Sequence, residues 1–318
     1  MTSPLARLRL DPYILALLAA VAVASVLPVR AAAAVALDHV VTVTIALLFF
    51  LYGARLSPQV ALAGLRNWRL HTAALATTFV IFPLLGLATR PLVGTLLTEQ
   101  LYLGVIFLCT LPSTVQSSIA FVSMARGNVA AAFCNASFSN LIGVLVTPLL
   151  AGLLIHTNGG FSLSSIRDIL LQLLAPFAVG QLARRWVGEW VTRRKALLSL
   201  FERGSIVLVV YSAFSAGVVA GIWHQLTAAN LAGLLVVDLL LLAAVLAVTT
   251  VGSRRLGFPP EDRVAIVFCG STKSLASGVP IATVLFAGQS VGLMVLPLML
   301  FHQMQLMACA YLARRAAP

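Results

Sequence analysis

The sequence predicts an all-α polytopic membrane protein with ten transmembrane helices in two inverted five-helix repeats. Three observations carry that prediction. The chain of 318 residues is 60% hydrophobic and only 9% charged, with a mean hydropathy of +1.02. That leaves too little polar surface for a water-soluble domain of this length. The apolar residues gather in ten runs, each near the roughly 20 residues that span a bilayer. The basic residues alternate between the gaps with the bias that sets membrane topology.

In chain order the runs are 12–29, 36–57, 70–89, 101–124, 128–155, 166–187, 197–222, 229–251, 263–286 and 290–313. Met1 to Leu10 is short and basic, and the run behind it is followed by nine more. It reads as a first membrane helix, not a cleaved leader. No gap is long enough for a separate globular unit, so residues 1–318 read as a single transmembrane domain. With the N-terminus in the cytoplasm, 17 of the 21 Lys and Arg fall on that side. Arg30, Arg90 and Arg167 fall on the other, and Lys273 on neither. Both termini are then cytoplasmic, and the composition suits a bacterial inner membrane. The stretch from Arg184 to Arg203 reads as a cytoplasmic loop flanked by helix ends whose long side chains snorkel.

The net charge of +12 follows from the same positive-inside bias and excludes nucleic acid as the expected partner. The partners expected are lipid and a small solute, with the chain acting as a monomer or a homodimer. The four cysteines all lie in apolar runs, without metal-ligand spacing, and read as inert buried thiols. No nucleotide-binding loop, hydrolase elbow or zinc-protease motif occurs. The chain is expected to be neither an ATP-driven pump nor an enzyme, and no metal site or cofactor is assigned.

An odd number of helices per repeat turns the second copy over, a plan common among secondary transporters. The repeats run from about 1 to 157 and from about 162 to 318. At an offset of 160, Val105-Ile106-Phe107-Leu108-Cys109 lies on Ala265-Ile266-Val267-Phe268-Cys269, and Ser117 on Ser277. Both matched segments lose helical character at the same place. The fourth carries Thr110-Leu111-Pro112-Ser113-Thr114, the ninth Gly270-Ser271-Thr272-Lys273-Ser274. Proline removes a backbone donor and glycine weakens a helix. Paired breaks of this kind point to a binding site at mid-membrane, where unwound backbone lines a cavity or is buried in protein.

Polar residues cluster around these breaks. Ser113, Thr114, Gln116, Ser117 and Ser118 surround the first, and Ser271, Thr272, Lys273 and Ser274 form the second. Helix five adds Asn135, Ser139 and Asn140, and helix ten adds His302, Gln303 and Gln305. Such residues also serve as hydrogen-bonding glue between helices. Lys273 stands apart, because a cation at bilayer depth is costly and needs a partner. Asp238, central in run eight, is the expected partner, in a pair that is either structural or changes charge during transport.

Three segments resemble the bile acid:sodium symporter family, solute carrier family 10. They are Leu111-Pro112-Ser113-Thr114-Val115-Gln116-Ser117-Ser118, Ala125-Arg126-Gly127-Asn128-Val129-Ala130 and Thr147-Pro148-Leu149-Leu150. Cys269 to Gly278 and Phe301-His302-Gln303-Met304-Gln305-Leu306 are similar to the divergent branch that includes the family's seventh member. The resemblance covers nearly the whole chain. It implies broken helices four and nine that cross at mid-membrane, and a four-helix panel moving against a six-helix core in alternating access.

It also implies where coupling sodium would bind, and there the chain departs from the pattern. The glutamate position holds Ser271, the glutamine position Thr78, two helix-five positions Ala132 and Ala136, and the serine–asparagine pair Ser117-Ser118. The resemblance thus leads to a secondary active transporter of a small organic anion, coupled to a proton or sodium, in which the Lys273 ammonium replaces the lost sodium electrostatically or carries a proton. The alternative it leaves open is a non-transporting membrane regulator of calcium homeostasis.

Overall fold

The computed structural model describes residues 12–55, 67–155, 163–221, 226–286 and 290–316. Met1 to Leu10, Arg66 and the junction expected between the repeats lie outside them. The described residues are helical throughout, joined by turns and one isolated bridge between Val93 and Leu97. We number the α-helices α1 Pro12–Val26, α2 Ala31–Arg55, α3 Trp68–Ala76, α4 Phe82–Ala88, α5 Glu99–Thr110, α6 Gln116–Met124 and α7 Val129–Leu154. They continue as α8 Leu163–Arg193, α9 Lys195–Val219, α10 Ala228–Arg255, α11 Pro260–Ser271, α12 Leu275–Leu285 and α13 Val291–Ala316.

Seven segments are long and apolar enough to cross a membrane: α2, Trp68–Leu92, α7, Ala196–Val219, α10, Pro260–Leu285 and α13. Leu15–Val26 and α5 are shorter apolar helices. The large apolar side chains left exposed, such as Leu84, Leu149, Leu239 and Leu240, suit a surface solvated by lipid, and the chain is an integral membrane protein. The stretch Arg184 to Arg203 is not the loop the basic residues suggest. α8 continues to Arg193 and α9 begins at Lys195, because the segment is rich in helix formers and holds a Glu189–Arg193 pair at i,i+4 spacing.

α1, α2, α8 and α9 pack on one another as one group: α2 lies along α8, and α1 along α9. A Cβ on Gly53 would fall 2.0 Å from the Phe177 carbonyl oxygen, and one on Gly180 2.0 Å from that of Phe50. The two backbones therefore touch directly, as small residues permit in membranes. α9 also contacts α12 and α13, and α8 contacts α7. The remaining helices surround α5, α11 and α13. Gly104 lets α5 meet α13, where a Cβ would lie 2.8 Å from the Met294 oxygen.

Three interruptions mark the centre of this second group. α5 stops at Thr110 because the residue before Pro112 is pushed out of the helical region, and Leu111 has φ −74° and ψ 153°. α11 stops at Ser271, and Thr272 has φ −107° and ψ 149°. The Ser274 hydroxyl then caps α12 by accepting from the Ser277 N–H at 3.1 Å. Between α3 and α4, Thr77–Ile81 forms one π turn.

Candidate functional site

A chain that stops being helical inside a membrane must satisfy each freed backbone group within the protein. Around the first break this can be followed atom by atom. The Cys109 carbonyl accepts from the Lys273 ammonium at 2.8 Å. The Thr110 carbonyl accepts from Thr147 Oγ1 at 2.9 Å, and the Leu111 carbonyl from the Lys273 ammonium at 2.7 Å. The Pro112 carbonyl accepts from the Ser274 N–H at 2.9 Å, and the Ser113 carbonyl from Asn140 Nδ2 at 2.8 Å. The Ser113 N–H donates to Ser139 Oγ at 2.9 Å.

The third proton of the Lys273 ammonium goes to the Thr78 carbonyl at 2.9 Å. That carbonyl is free for a reason visible in the sequence. The Phe82 N–H bonds the Thr77 oxygen across the π turn, so the next N–H in register would come from residue 83, which is proline. Lysine has three donors and no acceptor, and here all three are used. The ammonium also lies 4.0 Å from the centroid of the Phe82 ring, close enough for a cation–π contact. It sits at the C-terminal end of α5, where the helix dipole favours positive charge.

At the second break one side chain takes both polar groups of the Lys273 backbone, and His302 Nδ1 also lies 3.4 Å from the Lys273 carbonyl oxygen. Gln305 on α13 accepts the Lys273 N–H at 2.7 Å and donates to the Lys273 carbonyl at 2.8 Å. His302 Nδ1 lies 2.8 Å from Gln305 Nε2. The two breaks are joined by hydroxyls: Thr272 Oγ1 lies 3.0 Å from Ser113 Oγ, 3.2 Å from Thr114 Oγ1 and 2.8 Å from Ser118 Oγ. Ser117 Oγ donates to Thr114 Oγ1 at 2.7 Å. Ser277 Oγ donates to Asn140 Oδ1 at 2.7 Å.

Of the residues singled out from sequence, Ser113, Thr114, Ser117, Ser118, Thr272, Lys273 and Ser274 thus meet at one crossing, with Thr78 joining through its carbonyl. Ser271 turns away toward Thr249, 3.1 Å between hydroxyls. Gln116 is exposed at the start of α6. Asn135 is fully buried outside this cluster; its Nδ2 stands 3.5 Å from His71 Nδ1 and its Oδ1 has no partner among the described residues.

The pairing expected between Lys273 and Asp238 is not formed. Backbone carbonyls take every proton of the ammonium, and neither Asp238 oxygen has a hydrogen-bond partner among the described residues. The donor set at the implied sodium positions does not fit that ion either. Ala132 and Ala136 offer no side-chain oxygen, the Thr78 hydroxyl donates to the Ala74 carbonyl at 2.9 Å, and Ser271 is engaged with Thr249. Meanwhile a cation already sits on the Thr78 carbonyl.

A cavity of about 470 Å³ lies between the α1–α2–α8–α9 group and the crossing. Thr114, Gln116, Ser117, Ser274 and Ser277 line its polar wall, while Phe49, Phe133, Phe177 and Ile281 line apolar parts. Arg55, Glu202 and Arg203 bring charge to it. Arg55 and Glu202 are 3.7 Å apart, and the Tyr52 hydroxyl donates to Glu202 at 3.2 Å. Arg203 is exposed, its guanidinium 5.4 Å from the Tyr13 ring centroid. Sequence reading passed over this charged trio, because Arg55 and Arg203 looked like ordinary topology signals and Glu202 was given no role. It also gave no role to Phe82 or Gln305; proline five residues after Thr78 and the density of polar residues in α13 were the available signals.

Residues 11–318 match the model of the SBF-like CPA transporter family. Among individual proteins, the chain is 56% identical over 309 residues to an uncharacterized protein, PA2026, of Pseudomonas aeruginosa, covering 96% of this chain and 93% of that one. It is 49% identical over 307 residues to YfeH of Escherichia coli (strain K12), which is named as a proposed symporter, covering 96% and 92%. It is 27% identical over 311 residues to sodium/bile acid cotransporter 7 of Xenopus tropicalis, covering 95% and 90%. The two of these relatives whose names state an activity are named as a symporter and a cotransporter, not as enzymes. The chain belongs to the SBF-like CPA transporter family.

Proposed function

We propose that the protein is a secondary active transporter that moves a small organic anion by alternating access, driven by a proton or sodium gradient. The observation that carries this reading is the cavity set between the α1–α2–α8–α9 group and the broken helices. Two guanidiniums against one carboxylate give its charged wall a net positive sign, with Arg55, Arg203 and Glu202 among its lining, which favours an anion. In this reading the four-helix group is the moving panel. The chain crosses the bilayer ten times, in two inverted repeats whose fourth and ninth helices are broken and cross. Both termini lie in the cytoplasm of a cell whose inner membrane holds the protein, as a monomer or a homodimer.

Lys273 supplies the positive charge at the crossing that a coupling ion would otherwise bring. Ser113, Thr114, Ser117, Ser118 and Thr272 form one hydroxyl network there, and Thr114 and Ser117 also line the cavity, so a change at the crossing reaches the cavity through them. Membrane vesicles loaded with defined organic anion pools, under imposed proton or sodium gradients, test the reading. Gradient-driven uptake is expected in vesicles carrying the chain, and Lys273→Met and Lys273→Ala should abolish it while protein remains in the membrane. Unchanged uptake in both variants would remove Lys273 from the mechanism. No gradient-driven uptake of any anion would favour the regulator reading instead.

A further inference from the structure

We propose that Asp238 is the binding site of the coupling proton and is held in this conformation as the neutral acid. The proposal deepens the transport reading above, on which its coupling role rests. Asp238 is 0% exposed, on the stripe of α10 that also buries Leu234, Val237, Leu241 and Val245. It therefore faces the protein and not the lipid. Both its oxygens lack a hydrogen-bond partner among the described residues, and no ion pair within 4.0 Å reaches it there. An ionised carboxylate so placed has no donor and no cation among the described residues to stabilise it, and a charge buried without partners is costly.

The titratable groups of the surrounding elements do not alter this. α10 packs on α11, α13, α4 and the π turn. α11 brings Glu261, Asp262 and Arg263 in its first turn, and Cys269; Asp262 is taken up by Asn67 and Asn128. α13 brings His302, Cys309, Tyr311, Arg314 and Arg315, and His302 is engaged with Gln305. α4 and the π turn bring none. On α5 the Cys109 carbonyl holds the Lys273 ammonium.

That arrangement suits a proton better than a metal cation. A metal cation needs several ligands at once, and no group of three or more His, Cys, Asp or Glu side chains that could hold one occurs among the described residues, whereas a proton needs a single carboxylate oxygen. In the cycle, one carboxylate oxygen gains an O–H bond from water on one side of the membrane. The bond breaks, and the proton returns to water on the other side, when rearrangement of the core wets the site.

The test is infrared difference spectroscopy on the purified protein in lipid nanodiscs, with pH as the only variable. The wild type, labelled with carbon-13 aspartate, should show a protonated-carboxyl C=O band at neutral pH. The band should sit at the frequency of the heavier isotope, be lost in Asp238→Asn and be shifted in Asp238→Glu. Its absence from the labelled wild type overturns the proposal, and that measurement needs no variant to fold. If the band is present but proton-gradient-driven anion uptake is equal in wild type and Asp238→Asn, the coupling role is overturned while transport stands. If no anion moves in any vesicle, the transport reading and the coupling role fail together, and the band alone still decides where the proton sits. Loss of proton-driven uptake in Asp238→Asn, with uptake retained in Asp238→Glu, supports the whole proposal.

Discussion

Lys273 and Asp238 are both ionisable, both without solvent exposure, and they are treated in opposite ways by their surroundings. Every proton of the Lys273 ammonium has an acceptor, and an aromatic ring covers the group. Neither oxygen of Asp238 has a donor among the described residues. The difference teaches that burial alone does not decide what a charged residue is for. A group with all its bonds made is fixed in place and in charge, because altering either breaks several contacts at once. A group with none made can change its protonation state at little structural cost.

The largest effect is expected from breaking the saturated member. Lys273→Met removes the donor to three buried carbonyls, on Thr78, Cys109 and Leu111, each worth about 1–3 kcal/mol when left unpaired. Thermal unfolding in detergent should show a loss of roughly 3–6 kcal/mol; a loss under about 1 kcal/mol would mean the carbonyls find other partners. Gln305→Leu removes the bonds it makes to the Lys273 N–H and carbonyl, leaving only His302 Nδ1 near that carbonyl, and should cost roughly 2–4 kcal/mol by the same assay. Ser139→Ala deprives only the Ser113 N–H, and about 1–2 kcal/mol is expected.

The smallest effect is expected at the unsaturated member. Asp238→Asn replaces a neutral acid by an amide of the same shape, and stability at neutral pH should change by less than about 1 kcal/mol. A large loss there would reveal a partner for the carboxyl and erase the contrast with Lys273. The two breaks can also be separated. Pro83→Ala offers the Thr78 carbonyl an N–H from its own helix. It should loosen one of the three ammonium bonds, for about 1 kcal/mol, without touching those to Cys109 and Leu111.

Much of the architecture was legible in the sequence because membrane-spanning helices announce themselves by length and apolarity, and breaks by proline and glycine. Thr110 to Thr114 and Gly270 to Ser274 are where the helices stop, as their residues require. Lys273 was legible as an anomaly, but its partner was not. The natural guess was the nearest carboxylate in composition, Asp238, whereas the partners are main-chain oxygens, which every residue has and no letter of the sequence marks. The cavity was hidden for a related reason. Arg55 and Arg203 read as topology signals and Glu202 was given no role, and only packing shows that they share a wall. The run Arg184 to Arg203 was misread because charge density was weighed above helix propensity.

The contacts of Gly53 with the Phe177 backbone and of Gly180 with the Phe50 backbone have a mechanical consequence. Where two helices meet through side chains, rotamer changes let one slip against the other. Here backbone meets backbone at both glycines, and no side chain remains between them to act as a bearing. α2 and α8 can therefore tilt together but not slide, so a push delivered at either end of one helix is delivered at both ends of the pair.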